Sequence, residues 1–165
     1  MTRVEDLMRK DVRACGADDS MSEAARIMWE RDCGFAPVVA DDGSGRLVGV
    51  ITDRDMCMAA FLQGKSLCDL RVSEAMATEL RTCAPGDSLA DAEAGMREGQ
   101  VRRLPVVDAS GQLLGVLSLA DLARGRGAAR SRITASELAD VLVAVSEPRP
   151  VRPSDLPLAA PAHAE

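Results

Sequence analysis

The 165-residue sequence predicts an α+β fold. Two βαββα repeats pack with pseudo-two-fold symmetry, followed by a short C-terminal helix and an extended tail. Two observations carry this prediction. The first is internal self-similarity. Val4-Glu5-Asp6-Leu7-Met8 matches Val72-Ser73-Glu74-Ala75-Met76, and Val12 to Cys15 matches Leu80 to Cys83, at an offset of 68. Asp19-Ser20-Met21, Met28 and Pro37-Val38-Val39 recur at the same offset as Asp87-Ser88-Leu89, Met96 and Pro105-Val106-Val107. Gly49-Val50-Ile51-Thr52 and Asp55 then match Gly115-Val116-Leu117-Ser118 and Asp121 at an offset of 66. The second observation is a pair of β-rich runs in each repeat, joined by a turn of Asp, Ser and Gly, which reads as a hairpin. The two-residue difference in offset falls in that turn, where surface exposure tolerates insertion.

Each element follows from local pattern. Val12 to Cys15 is expected as a short first strand. Ser20-x-x-Glu23 reads as a capping box opening a helix. Met21, Ala24, Ala25 and Met28 then recur at helical spacing and are expected to face the core. Ser88-x-x-Asp91 opens the corresponding helix, with Leu89, Ala92 and Met96 as its stripe. Ala36 to Ala40 and Leu47 to Thr52 form the first hairpin, and Pro105 to Val107 with Leu113 to Leu117 the second. Asp53 to Gln63 closes the first repeat as a helix, with Gly64 as its stop. A unit of about 50 residues buries its own apolar face poorly. Two copies are therefore expected to bury theirs against each other and to leave two equivalent clefts between them. The segments are 1–66 for the first repeat, 67–124 for the second, 125–147 for a basic linker and amphipathic helix, and 148–165 for a Pro-rich tail.

Composition limits the function. Apolar residues make up 47% of the chain, enough for a core, but with one Trp, two Phe and no Tyr that core must be aliphatic. A net charge of -6 argues against a general nucleic-acid or anionic-membrane binder. No apolar run approaches the roughly 20 residues needed to span a bilayer, and the charged N-terminus lacks a signal-peptide core. A cytoplasmic protein is expected. The five cysteines are odd in number, with no Cys-x-x-Cys spacing. They read as free thiols, and spacing picks out no redox pair. The one histidine, His163, lies in the tail. Ser-His and Cys-His catalysis are thus unsupported, as are a His/Cys metal cluster and a Walker or GxGxxG loop. The chain does not read as an enzyme.

The paired βαββα pattern resembles a tandem CBS-domain (Bateman) module of the small stand-alone bacterial type. The residues that carry the resemblance are Gly49-Val50-Ile51-Thr52-Asp53-Arg54-Asp55 and Gly115-Val116-Leu117-Ser118-Leu119-Ala120-Asp121, each preceded by a Pro-Val-Val strand. It covers about Val4 to Ala123. The resemblance implies binding of an adenosyl ligand, such as AMP, ADP, ATP, S-adenosylmethionine or NAD, with no obligatory cofactor. In such modules the aspartate takes the ribose hydroxyls and the preceding Thr or Ser helps hold the phosphate. A carboxylate can accept from both hydroxyls of a cis-diol, and a hydroxyl at a helix start adds to its free N–H groups. Carried onto this chain, one site uses Ser118, Asp121, Arg102 and Arg103, with Ala14, Cys15, Asp19, Cys33 and Gly34 from the other copy. The second uses Thr52, Asp55 and Arg54, with Thr82, Cys83 and Asp87. Gly34 and Phe35 stand where the second copy has Arg102 and Arg103. The sites are therefore expected to be unequal, the Ser118/Asp121 site preferring phosphorylated ligands. The resemblance also implies a homodimer through the CBS helices and an unknown regulated partner protein. The rival reading is an interaction scaffold with vestigial sites, in which Asp55 and Asp121 are simply first-turn helix acids and Thr52 and Ser118 simply caps.

Beyond the module, Arg124, Arg126, Arg130 and Arg132 read as a solvated linker or as a phosphate or acidic-partner contact. Thr134-x-x-Glu137 is another capping box. It is followed by an apolar stripe of Leu138, Val141, Leu142 and Val145 on a helix too short to be stable undocked. Pro148, Pro150, Pro153, Pro157 and Pro161 predict an extended, disordered tail.

Overall fold

The computed structural model describes residues 2–125 and 134–148. Arg126, Arg130 and Arg132 of the basic linker lie outside the described residues, as do the tail prolines after Pro148 and His163. The described residues form two compact units, one of residues 13–80 and one combining 2–12 with the described part of 81–148.

The unit of residues 13–80 holds β1 (Cys15–Gly16), α2 (Met21–Glu30), β2 (Phe35–Val39), β3 (Leu47–Thr52) and α3 (Asp53–Gln63). Its sheet has the order β1-β2-β3, with β1 parallel and β3 antiparallel to β2. The first strand is shorter than the expected Val12 to Cys15, because only Cys15 and Gly16 find partners, opposite Val38 and Val39. The helix α3 has the expected bounds, and Gly64 ends it with φ of 60°, a left-handed conformation that glycine adopts without steric cost. The methionine stripe behaves as patterned. Met21, Ala24 and Met28 are buried with Ile27, while Ala25 lies at the margin of that core. The Ser20/Glu23 capping box does not form. Glu23 is instead drawn to Arg26 one turn on, and the Ser20 hydroxyl pairs with Ser22 at 2.6 Å.

The second unit repeats this plan. It contains α4 (Leu89–Gly99), β4 (Arg103–Val107), β5 (Leu113–Ser118) and α5 (Leu119–Gly125). A single parallel bridge, Cys83 to Val106, stands where β1 stood. Both hairpins carry a register irregularity at the matching step, Val38/Val39 and Val106/Val107. The Ser88/Asp91 capping box forms, with Ser88 Oγ donating to Asp91 at 2.6 Å.

The N-terminal helix α1 (Val4–Leu7) does not serve the repeat it precedes in sequence. Its Val4 lies fully buried with Leu89, Met96, Leu104 and Leu117. The matching segment, Leu70 and Val72, lies in the core with Met21, Ala36 and Ile51. Backbone hydrogen bonds fasten both segments in the same way. Val4 N–H donates to Asp87 O at 3.1 Å, and Val72 N–H to Asp19 O at 2.9 Å. The motif glycines make room for these segments. A Cβ on Gly115 would lie 2.6 Å from the Arg9 carbonyl oxygen, and one on Gly49 would lie 2.7 Å from the Met76 sulfur.

The C-terminal helix α6 (Ala135–Ser146) packs on α4 and α5. Thr134 and Glu137 form the expected box, with Glu137 N–H donating to Thr134 Oγ1 at 3.2 Å. Val141 and Val145 are buried and Leu138 packs beside them, but Leu142 falls off the expected stripe and is exposed.

Candidate functional site

The two motif corners share one local geometry. In the first, Thr52 caps α3. Its N–H and hydroxyl both donate to Asp55 Oδ2, at 2.9 and 2.6 Å, and Asp55 N–H returns a bond to Thr52 Oγ1 at 3.2 Å. In the second, Ser118 N–H donates to Asp121 Oδ2 at 3.0 Å, the Ser118 hydroxyl donates to the same oxygen, and Asp121 N–H donates to Ser118 Oγ at 3.1 Å. Ser88/Asp91 and Thr134/Glu137 make the same triangle. The triangle by itself is therefore a helix-capping device. What distinguishes the motif corners is what surrounds them.

Asp121 is the buried member, with 7% exposure. Its Oδ1 accepts from Arg9 Nε at 3.2 Å and Arg124 Nη2 at 2.6 Å. Burial works to raise its pKa, but the hydrogen bonds from Ser118, Arg124 and Arg9 outweigh it and hold the carboxyl below the ordinary aspartate range. Asp55 is half-buried, and no cation pairs with it among the described residues. Reasoning from sequence missed Arg9 and grouped Arg124 with the linker. Arg124 is in fact in the last turn of α5, three residues after Asp121, a spacing that was readable as an acid–base pair. Arg9 reaches Asp121 only because its backbone bridges Val116.

The other assigned residues divide between the units. Arg103 lies opposite Ser118 in the β4–β5 register, and the Arg102 carbonyl accepts the Leu119 N–H at 2.9 Å. Both arginines therefore stand at the Ser118 corner. In the first unit Phe35 lies opposite Thr52, and the Gly34 carbonyl accepts from Asp53 N–H at 3.3 Å. A Cβ on Gly34 would meet Asp53 Oδ2 at 2.5 Å, so a side chain at the counterpart of Arg102 would have to displace the exposed Asp53 carboxylate. Arg54 is exposed, and its N–H donates to Asp53. Cys15 is buried beside Pro37, and Asp19 accepts the Gly16 N–H at 2.7 Å. Ala14 and Cys33 are half-buried, with the Cys33 thiol on the Phe35 carbonyl. Cys83 and Asp87 repeat that pattern in the other unit, Asp87 accepting from Ala84 N–H at 2.8 Å, next to exposed Thr82. Desolvation, reinforced by Asp19 and Asp87 respectively, pushes the Cys15 and Cys83 thiols up to about 12.

Among the described residues no group of His, Cys, Asp and Glu is arranged to hold a metal ion. Among them, too, no helix is long and apolar enough to cross a membrane.

Two hairpin-bearing α+β units with matching Thr/Ser-Asp corners define a CBS pair, a regulatory class of module. The chain belongs to the CBS-domain family, whose model matches residues 4–61 and 72–127. It is 39% identical over 123 residues to the CBS domain-containing protein YhcV of Bacillus subtilis, covering 74% of this chain and 84% of that one. Among solved structures it resembles the CBS domain pair of MJ0100 in complex with 5'-methylthioadenosine and S-adenosyl-L-methionine. That match has a TM-score of 0.67 and 27% identity, over 77% of this chain and 97% of the other. It also resembles CBSX2 in complex with AMP, with a TM-score of 0.66 and 28% identity, over 76% and 96% of the two chains.

Proposed function

We propose that this chain is a cytoplasmic, non-enzymatic sensor that binds an adenosyl nucleotide and passes its occupancy to a partner protein. The observation that carries this reading is the duplicated hydroxyl–carboxylate corner. Asp55 and Asp121 stand at equivalent places in units whose solved relatives hold AMP or S-adenosyl-L-methionine. The ribose hydroxyls go to these carboxylates. Arg102 and Arg103 serve the phosphate at the Ser118 corner, where charge-assisted bonds contribute roughly 1.5–3 kcal/mol each. Ala14, Cys15, Asp19, Cys33, Gly34, Arg54, Thr82, Cys83 and Asp87 remain the proposed accompanying contacts. Ligand occupancy shifts a population only through different affinity for two states of the protein.

A thermal-shift and calorimetry screen with AMP, ADP, ATP, S-adenosylmethionine and NAD tests the reading. A ligand at about 100 times its dissociation constant adds about 2.7 kcal/mol of stability. The second reading, a scaffold with vestigial sites, is favoured by the saturation of Asp121 by protein donors. It predicts no shift with any of the five compounds.

A further inference from the structure

The two corners share a backbone frame, and besides Arg102 and Arg103 they differ at two further positions that bear on the aspartate. Arg9 and Val116 exchange backbone hydrogen bonds of 2.9 and 3.0 Å, as Ala77 and Val50 do at 2.8 and 3.0 Å. Arginine in one unit therefore stands where the other has alanine. Arg124 follows Asp121 by three residues, and Met58 follows Asp55 by three. At these two positions one corner carries two cations, and its twin an alanine and a methionine.

The consequence lies in the carboxylates. An ionised carboxylate offers about four lone-pair sites. At Asp121 two are taken by Ser118, one by Arg9 and one by Arg124. At Asp55 only Oδ2 is used, and Oδ1 has no donor among the described residues. A ribose cis-diol can therefore bind Asp55 directly, whereas Asp121 can accept it only after a guanidinium lets go. The two arginine side chains are 64% and 59% exposed, so they can swing without unpacking the core. A phosphate dianion bears more charge than the carboxylate and can accept from both guanidiniums in bidentate fashion. An unphosphorylated nucleoside has nothing with which to draw them away.

We propose that Arg9 and Arg124 latch Asp121 and make the Ser118 corner selective for phosphorylated nucleosides, the ligand's phosphate drawing the arginines off Oδ1 so that it can accept the ribose. The inference rests on the adenosyl-sensing reading and adds the residues that set ligand class. No covalent step is involved. The Thr52/Asp55 corner, with no latch, takes adenosyl groups whether or not they bear phosphate.

The test is calorimetric titration of the full chain with AMP and with adenosine, in an Asp55→Ala background that silences the open corner. AMP is expected to bind at least about 30-fold more tightly than adenosine. Adding Arg9→Gln and Arg124→Gln should raise adenosine affinity about tenfold and narrow the preference for AMP by about the same factor, Arg102 and Arg103 keeping the rest. If AMP binds but adenosine affinity does not rise in the Gln variants, the latch is refuted and the sensor reading stands. If no adenine compound binds the unsubstituted chain, both fall. Should the variants fail to fold, NMR of the arginine Nε–H groups in the unsubstituted protein decides. AMP must move the Arg9 signal and adenosine must leave it in place; an AMP complex with that signal unmoved overturns the latch.

Discussion

At the scale of single residues, Asp121 is buried and held by four hydrogen-bond donors, two from Ser118 and one each from Arg9 and Arg124. Its folded-state pKa lies below its unfolded one, so it contributes stability above the ordinary carboxylate range and loses it as pH falls through the depressed value. Asp121→Asn should therefore cost about 1–3 kcal/mol at neutral pH in urea denaturation. The gap between variant and parent should close in acid, where both carry a neutral side chain. The cysteines give a second prediction. Cys57 and Cys68 are exposed, while burial pushes the Cys15 and Cys83 thiols up to about 12. A thiol-specific reagent near neutral pH should modify Cys57 and Cys68 first, and Cys15 and Cys83 only on unfolding. Fast labelling of Cys15 in the native protein would contradict the burial described. The chemistry of these corners was readable residue by residue, since Thr52, Asp55, Ser118 and Asp121 stand out by repetition. The saturation of one carboxylate and not the other was not readable, because it depends on a backbone bridge between Arg9 and Val116, more than a hundred residues apart.

At the scale of elements, α6 is held by Val141 and Val145, and its docking brings Glu137 toward Glu93 of α4. Glu93 is only 7% exposed. Burial first, and then the Glu137 charge, raise its pKa, with Arg97 opposing. An acid whose folded pKa is raised favours the folded state most below its unfolded pKa, and that contribution is lost as pH rises through the folded value. Glu93→Gln should therefore stabilise the protein at neutral pH, raising Tm by a few degrees for about 1 kcal/mol, with the advantage vanishing in acid. A variant less stable than the parent at neutral pH would show that Glu93 has a compensating partner. Gly115→Ala is expected to cost about 1–3 kcal/mol, because the added methyl meets the Arg9 carbonyl, a backbone atom that cannot rotate away. The helices α2 to α4 and both hairpins were readable from period and turn chemistry. The failed Ser20/Glu23 box was not, because Glu23 had a better partner in Arg26 and the motif alone does not rank competing partners.

At the scale of the whole molecule, duplication has left two units with different outer helices. In one, α4 and α5 are covered by α6. In the other, α2 and α3 leave Trp29 86% and Phe61 53% exposed, with Met58 and Leu62 partly so. Exposed large apolar side chains in a chain otherwise so poor in aromatics fit the homodimer through CBS helices that the family resemblance implies. Trp29→Lys should shift the protein toward monomer in sedimentation velocity while leaving its circular dichroism unchanged. A dimer of undiminished affinity would place the interface elsewhere.

What the sequence determined by itself is the repeated part: the α+β class, the two βαββα copies, the caps, the glycine stop of α3 and the paired Thr/Ser-x-x-Asp corners. These rest on contacts a few residues apart, or on comparison of the chain with itself. Only the tertiary structure decided the rest. It assigned Val4 to the core of the second repeat and Val72 to that of the first. It explained the motif glycines as room for those crossing segments, and it closed Asp121 with Arg9 while leaving Asp55 open. The physical reason is the same in each case. Hydrogen bonds and packing between distant segments depend on register in space, and spacing along the chain carries no record of that register.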